Sequence, residues 1–168
     1  MRLRPYRVTD AECIGKWIDS EWVNAYWSAN TLPYPFDAKA FEQKRLEGER
    51  QWSNACFVAA ENDGKQVGYL HMSINDAENF AFFGFVIVDG SCRGKGYGYE
   101  MIRLAKKYAF EVANLSKARI AVFDRNEAAL KCYQRNGFQI VEHQENSFVF
   151  AGISMGRYIL EVHNKKVN

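Results

Sequence analysis

Residues 92–98 read Cys92-Arg93-Gly94-Lys95-Gly96-Tyr97-Gly98, directly after the apolar run of residues 80–88. Three glycines and two cations mark the junction between a predicted strand and a predicted helix. A helix start leaves backbone N–H groups unpaired and carries the positive end of the helix dipole, so it is suited to an anion. Glycine lets the backbone approach that anion with no Cβ in the way. The chemistry implied is the binding of a phosphate-bearing ligand. The plainer alternative is a glycine-rich turn with two solvated cations. Two nucleotide patterns are missing. Tyr99 holds the last position of Gly-x-Gly-x-x-Gly, and no Gly-Lys-Ser/Thr follows a glycine and four intervening residues.

Other residue types limit the remaining chemistry. Cys13, Cys56, Cys92 and Cys132 are scattered, with no Cys-x-x-Cys pair, which reads as a reduced cytoplasmic protein. Cys92 and Cys132 read as structural, because no histidine or acid stands at a revealing spacing from them. His71, His143 and His163 are too dispersed for a zinc set, so no metal is expected. His71, on the predicted strand that precedes the 80–88 run, is a titratable group of the type whose ordinary pKa lies near neutrality. Asp76 and Glu78 flank the turn that follows it.

The elements that must position these groups can be read from periodicity. Residues 2–7 alternate as a short strand. Thr9 and Glu12 have the spacing of a capping box before a helix that buries Cys13, Ile14, Trp17 and Ile18. Residues 20–36 are aromatic and irregular, with Pro33 and Pro35 close together. Asp37 caps a helix over 38–51. Residues 55–61, 66–74 and 80–88 read as an antiparallel meander, with its first turn at Asn62-Asp63-Gly64-Lys65. Met101, Leu104, Ala105, Tyr108 and Val112 recur at helical spacing over 97–112. A strand over 118–122 follows. Asp124 or Asn126 caps a helix over 127–135, which Gly137 stops. Strands over 138–143 and 158–163 close the chain, with a loop or short hairpin arm between them. The order is β-α-α-β-β-β-α-β-α-β-β, which predicts an α+β (mixed α/β) fold rather than a doubly wound βαβ repeat.

This order resembles the GNAT superfamily of acetyl-CoA-dependent N-acetyltransferases over nearly the whole chain. The family signature Arg/Gln-x-x-Gly-x-Gly/Ala stands here as Arg93, Gly96 and Gly98. A second pattern stands as Asn126, Ala129, Tyr133, Gly137 and Phe138. The opening Leu3-Arg4-Pro5-Tyr6-Arg7-Val8-Thr9-Asp10-Ala11 resembles the subgroup that includes the ribosomal-protein alanine N-acetyltransferases.

The resemblance implies an acyl-CoA N-acyltransferase fold. Its central sheet is mixed and mostly antiparallel, is flanked by helices, and is splayed around the coenzyme A site. Arg93, Gly94, Lys95, Gly96, Tyr97 and Gly98 would hold the pyrophosphate. The backbone of Val86, Ile87 and Val88 would pair with the pantetheine arm, and Asn126 would contact it unless the side chain is used as a cap. Tyr133, one helical face along from Asn126, would protonate the departing thiolate, and a phenol with an ordinary pKa of about 10 is protonated at neutral pH. Residues 80–88 contain no acid, so no carboxylate base stands there. His71 is the remaining candidate for that role, alongside a water chain or an acceptor that binds already neutral.

Trp22, Asn24, Tyr26 and Asn30 would form the acceptor side, with Trp27 and Tyr34 in the same segment. That make-up favours an amino-acid-like or peptide N-terminal amine over a spermidine-like one. The expected function is acetyl transfer to a primary amine of a peptide N-terminus, amino acid or small molecule. A catalytically silent coenzyme A-binding module is the alternative.

Composition agrees with an ordinary globular domain spanning 1–168: 48% of residues are hydrophobic and 25% charged. The net charge of +2 and the short Asn164-Lys165-Lys166 tail argue against nucleic acid. No apolar run is long enough for a membrane span. The partner is then a small-molecule amine or peptide N-terminus, with a homodimer left open.

Overall fold

The computed structural model describes residues 1–49 and 53–165. The expected end of the second long helix at Gln51 and of the tail at Lys166 lie outside them. Seven strands among the described residues form one sheet in the order β1-β2-β3-β4-β5-β7-β6. These are β1 (Arg2–Pro5), β2 (Ser53–Ala60), β3 (Gln66–Asn75), β4 (Phe80–Val88), β5 (Lys117–Phe123), β6 (Gln139–Phe150) and β7 (Ile153–His163). Among the described residues only β4 and β5 pair in parallel. The α+β expectation of a mixed, mostly antiparallel sheet flanked by helices is what folds.

Helices cover both faces. α1 (Ala11–Trp17), α2 (Glu21–Ser28) and α3 (Ala38–Glu49) lie on one side, and α4 (Tyr97–Lys107) and α5 (Glu127–Arg135) on the other. Alternation along the strands feeds two cores. Val58, Tyr69 and Ile87 pack with Ile14, Trp17, Trp27 and Phe41. Their neighbours Phe57, Leu70 and Val86 turn instead toward Met101, Ile102 and Tyr133. No helix among the described residues is long and apolar enough to cross a membrane.

Three local expectations are corrected. Before α1, residues Val8–Asp10 form a 3-10 turn, and Asp10 rather than Glu12 closes it, its carboxylate accepting from Arg7 N at 2.8 Å. The segment read as irregular contains α2, capped by Ser20 Oγ, which accepts from Val23 N. The helix read over 97–112 is α-helical to Lys107 and then widens to a π-turn over Tyr108–Val112. Of the two readings of the polar stretch between the last strands, loop or short hairpin arm, the hairpin forms and is longer than expected, with β6 and β7 paired out to Phe150 and Ile153.

Candidate active site

The parallel pairing of β4 with β5 stops at Phe83 and Ile120, so the rest of β4 diverges from its neighbour. Just beyond that point β4 bulges. Tyr69 faces Ile87 and His71 faces Gly84, which leaves Phe85 and Val86 opposite Leu70 alone. The face alternation records the extra residue: Ala81 and Phe83 reach the α4–α5 core, and after the bulge so do Val86 and Val88. Phe85 has φ 48°, a left-handed conformation uncommon for any side chain but glycine. The splay expected around Val86, Ile87 and Val88 thus has a defined start.

Beyond Val88 the chain turns through Asp89, whose carboxylate accepts from Ser91 N at 2.8 Å, and enters the 93–98 loop. Gly94 and Gly96 are left-handed, at φ 74° and 86°, and flank the exposed Lys95. A Cβ built on either glycine would meet nothing within 4 Å. This is an open cradle at the start of α4, and its N–H groups, Lys95 and helix dipole fit a pyrophosphate. Arg93 is turned back: its N–H donates to Gly90 O at 3.3 Å and its Nε to Val88 O at 3.3 Å. Its side chain therefore braces the loop. Tyr97 donates its hydroxyl to Glu61 and anchors the first turn of α4 to the β2–β3 turn. Gly98 sits where a Cβ would lie 3.6 Å from Val88 Cγ2 and 3.8 Å from Cys132 Sγ, so α5 runs beside the loop.

Asn126 caps α5, its Oδ1 accepting from Ala129 N at 3.2 Å. That corrects the competing cap. Asp124 is drawn to Gly156 N at 2.9 Å, on a strand distant in sequence. The part of Asn126 suited to a ligand is therefore its amide nitrogen. Tyr133 is 6% exposed and packs against Phe138. Burial, with a smaller contribution from Cys132, pushes its phenol well above the ordinary value. It stays protonated across any working pH.

His71 is buried, and its ring stacks on Phe85 with centroids 6.1 Å apart. Its Nε2 lies 3.4 Å from Ser73 Oγ. Together with Phe82, Gly84 and Glu47 it lines a cavity of about 530 Å³ on the α3 side of the sheet. The structure therefore brings His71 to the bulge. Asp76 and Glu78 sit before Phe80, four residues ahead of Gly84, which places them roughly 13 Å or more along the strand from the bulge.

The acceptor segment divides. Trp22 and Tyr26 reach across from α2 and meet Phe150 at 4.8 Å and Phe123 at 6.0 Å between ring centroids. Phe123 in turn stacks on Phe148 at 4.8 Å. This aromatic wall joins α2 to the end of β5 and to the β6–β7 hairpin. Phe123, Phe148 and Phe150 were not among the expected site residues. The spacing of Phe148 and Phe150, two apart on a strand, was the available signal. Asn24 does not join the wall. It is 3% exposed, and its amide donates to Leu32 O at 3.0 Å, tying α2 to the following loop. Asn30, left-handed at φ 56°, lies exposed in the turn after α2. Trp27 is buried, and its Nε1 donates to Phe85 O at 2.8 Å.

Comparison with known proteins adds the family and the nearer relatives. The sequence matches the acetyltransferase (GNAT) family over residues 20–138. A spermidine N(1)-acetyltransferase of Escherichia coli is 25% identical over 155 residues, covering 90% of this chain and 80% of its own. Acetyltransferase PseH of Campylobacter jejuni is 37% identical over 54 residues, 32% of this chain and 34% of that protein. The crystal structure of spermidine N-acetyltransferase from Vibrio cholerae in complex with CoA and spermine aligns with a TM-score of 0.83 at 22% identity, covering 98% of this chain and 95% of that one. That likeness shows the acyl-CoA N-acyltransferase fold. These matches overturn the ribosomal-protein alanine subgroup expected from Leu3–Ala11. The physical reason is that this opening is scaffold. Arg4 holds Asp10 through two bonds of 2.7 and 2.8 Å, and Gln66 donates to the same carboxylate at 2.6 Å. Those side chains are committed to one another and carry no acceptor information.

Proposed function

The chain belongs to the acetyltransferase (GNAT) family, an acetyl-CoA-dependent enzyme that acetylates a primary amine, and we propose that its acceptor is an aliphatic polyamine of the spermidine type. The observation that carries this reading is the wall of Trp22, Tyr26, Phe123, Phe148 and Phe150. Ring faces attract alkylammonium groups and pack against methylene chains, and a polyamine consists of both. The Escherichia coli relative, matched over most of this chain, supports the same substrate class. The peptide-like acceptor expected from Asn24 loses its polar contact, since Asn24 is bonded inward.

Acetyl-CoA, when bound, supplies an acyl group activated as a thioester. In our reading the N–H groups of Lys95, Gly96, Tyr97 and Gly98 hold its pyrophosphate, with Lys95 adding charge. The backbone of Val86, Ile87 and Val88 and the amide nitrogen of Asn126 hold the pantetheine arm. Tyr133, kept protonated by burial, donates to the departing sulfur. His71, stacked beside the bulge, takes the proton that the amine loses. The enzyme is read as one domain acting in the cytoplasm on a small molecule.

Thiol release from acetyl-CoA, measured across spermidine, spermine, putrescine, free amino acids and peptide N-termini, tests the reading. A polyamine should give the highest kcat/KM, and Trp22→Ala or Phe148→Ala should raise its KM by about 3- to 30-fold, the scale of a lost ring–cation contact. A peptide N-terminus preferred over every polyamine, with both variants silent, would overturn it.

A further inference from the structure

We infer that Trp27 is a positioning residue for acetyl transfer, fixing the peptide between Phe85 and Val86 so that the Val86 N–H is aimed at the coenzyme side of the sheet. The inference rests on the transferase reading above. It begins from the strained point of β4. Phe85 holds φ 48° in the bulge, and a phenylalanine keeps such a conformation only where its surroundings impose it. The surroundings here are α2 and β3. The indole N–H of Trp27 donates to Phe85 O at 2.8 Å, and the two rings meet edge-on with centroids 5.4 Å apart. His71 stacks on the same phenylalanine ring. Trp27 is itself 8% exposed and packed against Phe36 and Phe41, so the donor is held in place.

Peptide geometry carries the rest. Phe85 C=O and Val86 N–H belong to one planar trans unit and point in opposite directions. The carbonyl is engaged by Trp27, whose ring lies in the core shared with α1 and α3. The Val86 N–H is therefore directed away from α2, toward the side of α4 and α5, where the Val86 side chain also packs. Val86 lies past the last β4–β5 pair, in the splay that is read as the coenzyme arm's path. A fixed N–H aimed where a carbonyl oxygen gains negative charge is a large contributor to acyl transfer. Trp27 touches no reacting atom in this account. It acts through the peptide it holds.

Two measurements test this, and the first needs no turnover. Amide NMR of the unsubstituted protein, titrated with a ketone analogue of acetyl-CoA, should move the Val86 amide proton downfield. Trp27→Phe, which keeps a ring and removes the donor, should abolish that shift and weaken the left-handed chemical-shift signature of Phe85. A Val86 amide indifferent to the analogue, or unchanged by Trp27→Phe, would overturn the inference. The second measurement is kinetic. Trp27→Phe should lower kcat about 10- to 100-fold while the KM for acetyl-CoA stays nearly constant. In a Phe85→Gly background, where the left-handed turn is intrinsically allowed, adding Trp27→Phe should cost much less. An effect confined to the acceptor's KM, or the same loss in both backgrounds, would contradict the positioning role. If no amine is acetylated by the unsubstituted protein, the transferase reading has failed, and the NMR titration still decides the role of Trp27.

Discussion

Tyr133 and Asn126 show how one side chain's surroundings decide its chemistry. Tyr133 lies within the α4–α5 core, and its burial opposes ionisation. A proton donor needs that state, so Tyr133→Phe should lower kcat by about 100-fold with coenzyme A affinity unchanged, as read by single-turnover kinetics and calorimetry. A variant with full kcat, under conditions where chemistry limits the rate, would remove the role. The position of this tyrosine was legible from its spacing to Asn126. The division of labour between Asp124 and Asn126 was not. Both residue types cap helices, and only Gly156 N, brought alongside by β7, draws Asp124 away. Asn24 was misread for a similar reason, since its partner Leu32 O depends on how the chain folds back after α2.

At the scale of elements, the strand–loop–helix run from β4 to α4 was readable almost to the residue, because apolar continuity, glycines and helical spacing meet there. The bulge inside β4 was hidden. Every residue of Phe80–Val88 is apolar or glycine, so no alternation exists for an inserted residue to break. The choice between a loop and a hairpin arm after residue 143 stayed open because β6 is an edge strand exposed over most of its length, and a strand with little buried face has little pattern. The loop itself supports a specific test. Gly96 is left-handed and a Cβ there would touch no protein atom, so Gly96→Ala strains the turn by about 1–3 kcal/mol without a clash. Coenzyme A affinity should fall at least several-fold by calorimetry while the protein stays folded. Gly98→Ala, whose Cβ would make ordinary contacts with Val88 and Cys132, should bind far more nearly as the parent does. Equal affinity in parent and Gly96→Ala would argue against a phosphate cradle at this loop.

Across the described residues, the sheet holds two cores apart and leaves the cleft where the parallel β4–β5 pair diverges. The order of elements was legible because each carries its own period. The aromatic wall was not, since α2 and the β6–β7 hairpin are far apart in sequence and meet only in the fold. The N-terminal strand is stitched to the fold by Asp10, which is 2% exposed. Burial alone would raise its carboxyl, but Arg4, Arg7 N and Gln66 hold it below the usual range. A carboxyl depressed in the folded state contributes stability above its unfolded value of about 4, and that contribution is lost as pH falls through the lower folded value. Asp10→Asn should therefore destabilise the protein by about 3 kcal/mol at pH 7, and progressively less in acid, in urea unfolding. A variant as stable as the parent at pH 7 would show the pair to be dispensable.

The most direct test of the account is a crystal structure of the dead-end complex with coenzyme A and spermidine. The account predicts the pyrophosphate on the loop from Lys95 to Gly98, the thiol within hydrogen-bond reach of the Tyr133 hydroxyl, and the polyamine against Trp22, Tyr26 and Phe148 with one amine beside the Phe85 bulge. Coenzyme A bound away from that loop, or spermidine held where none of these rings touches it, would contradict it.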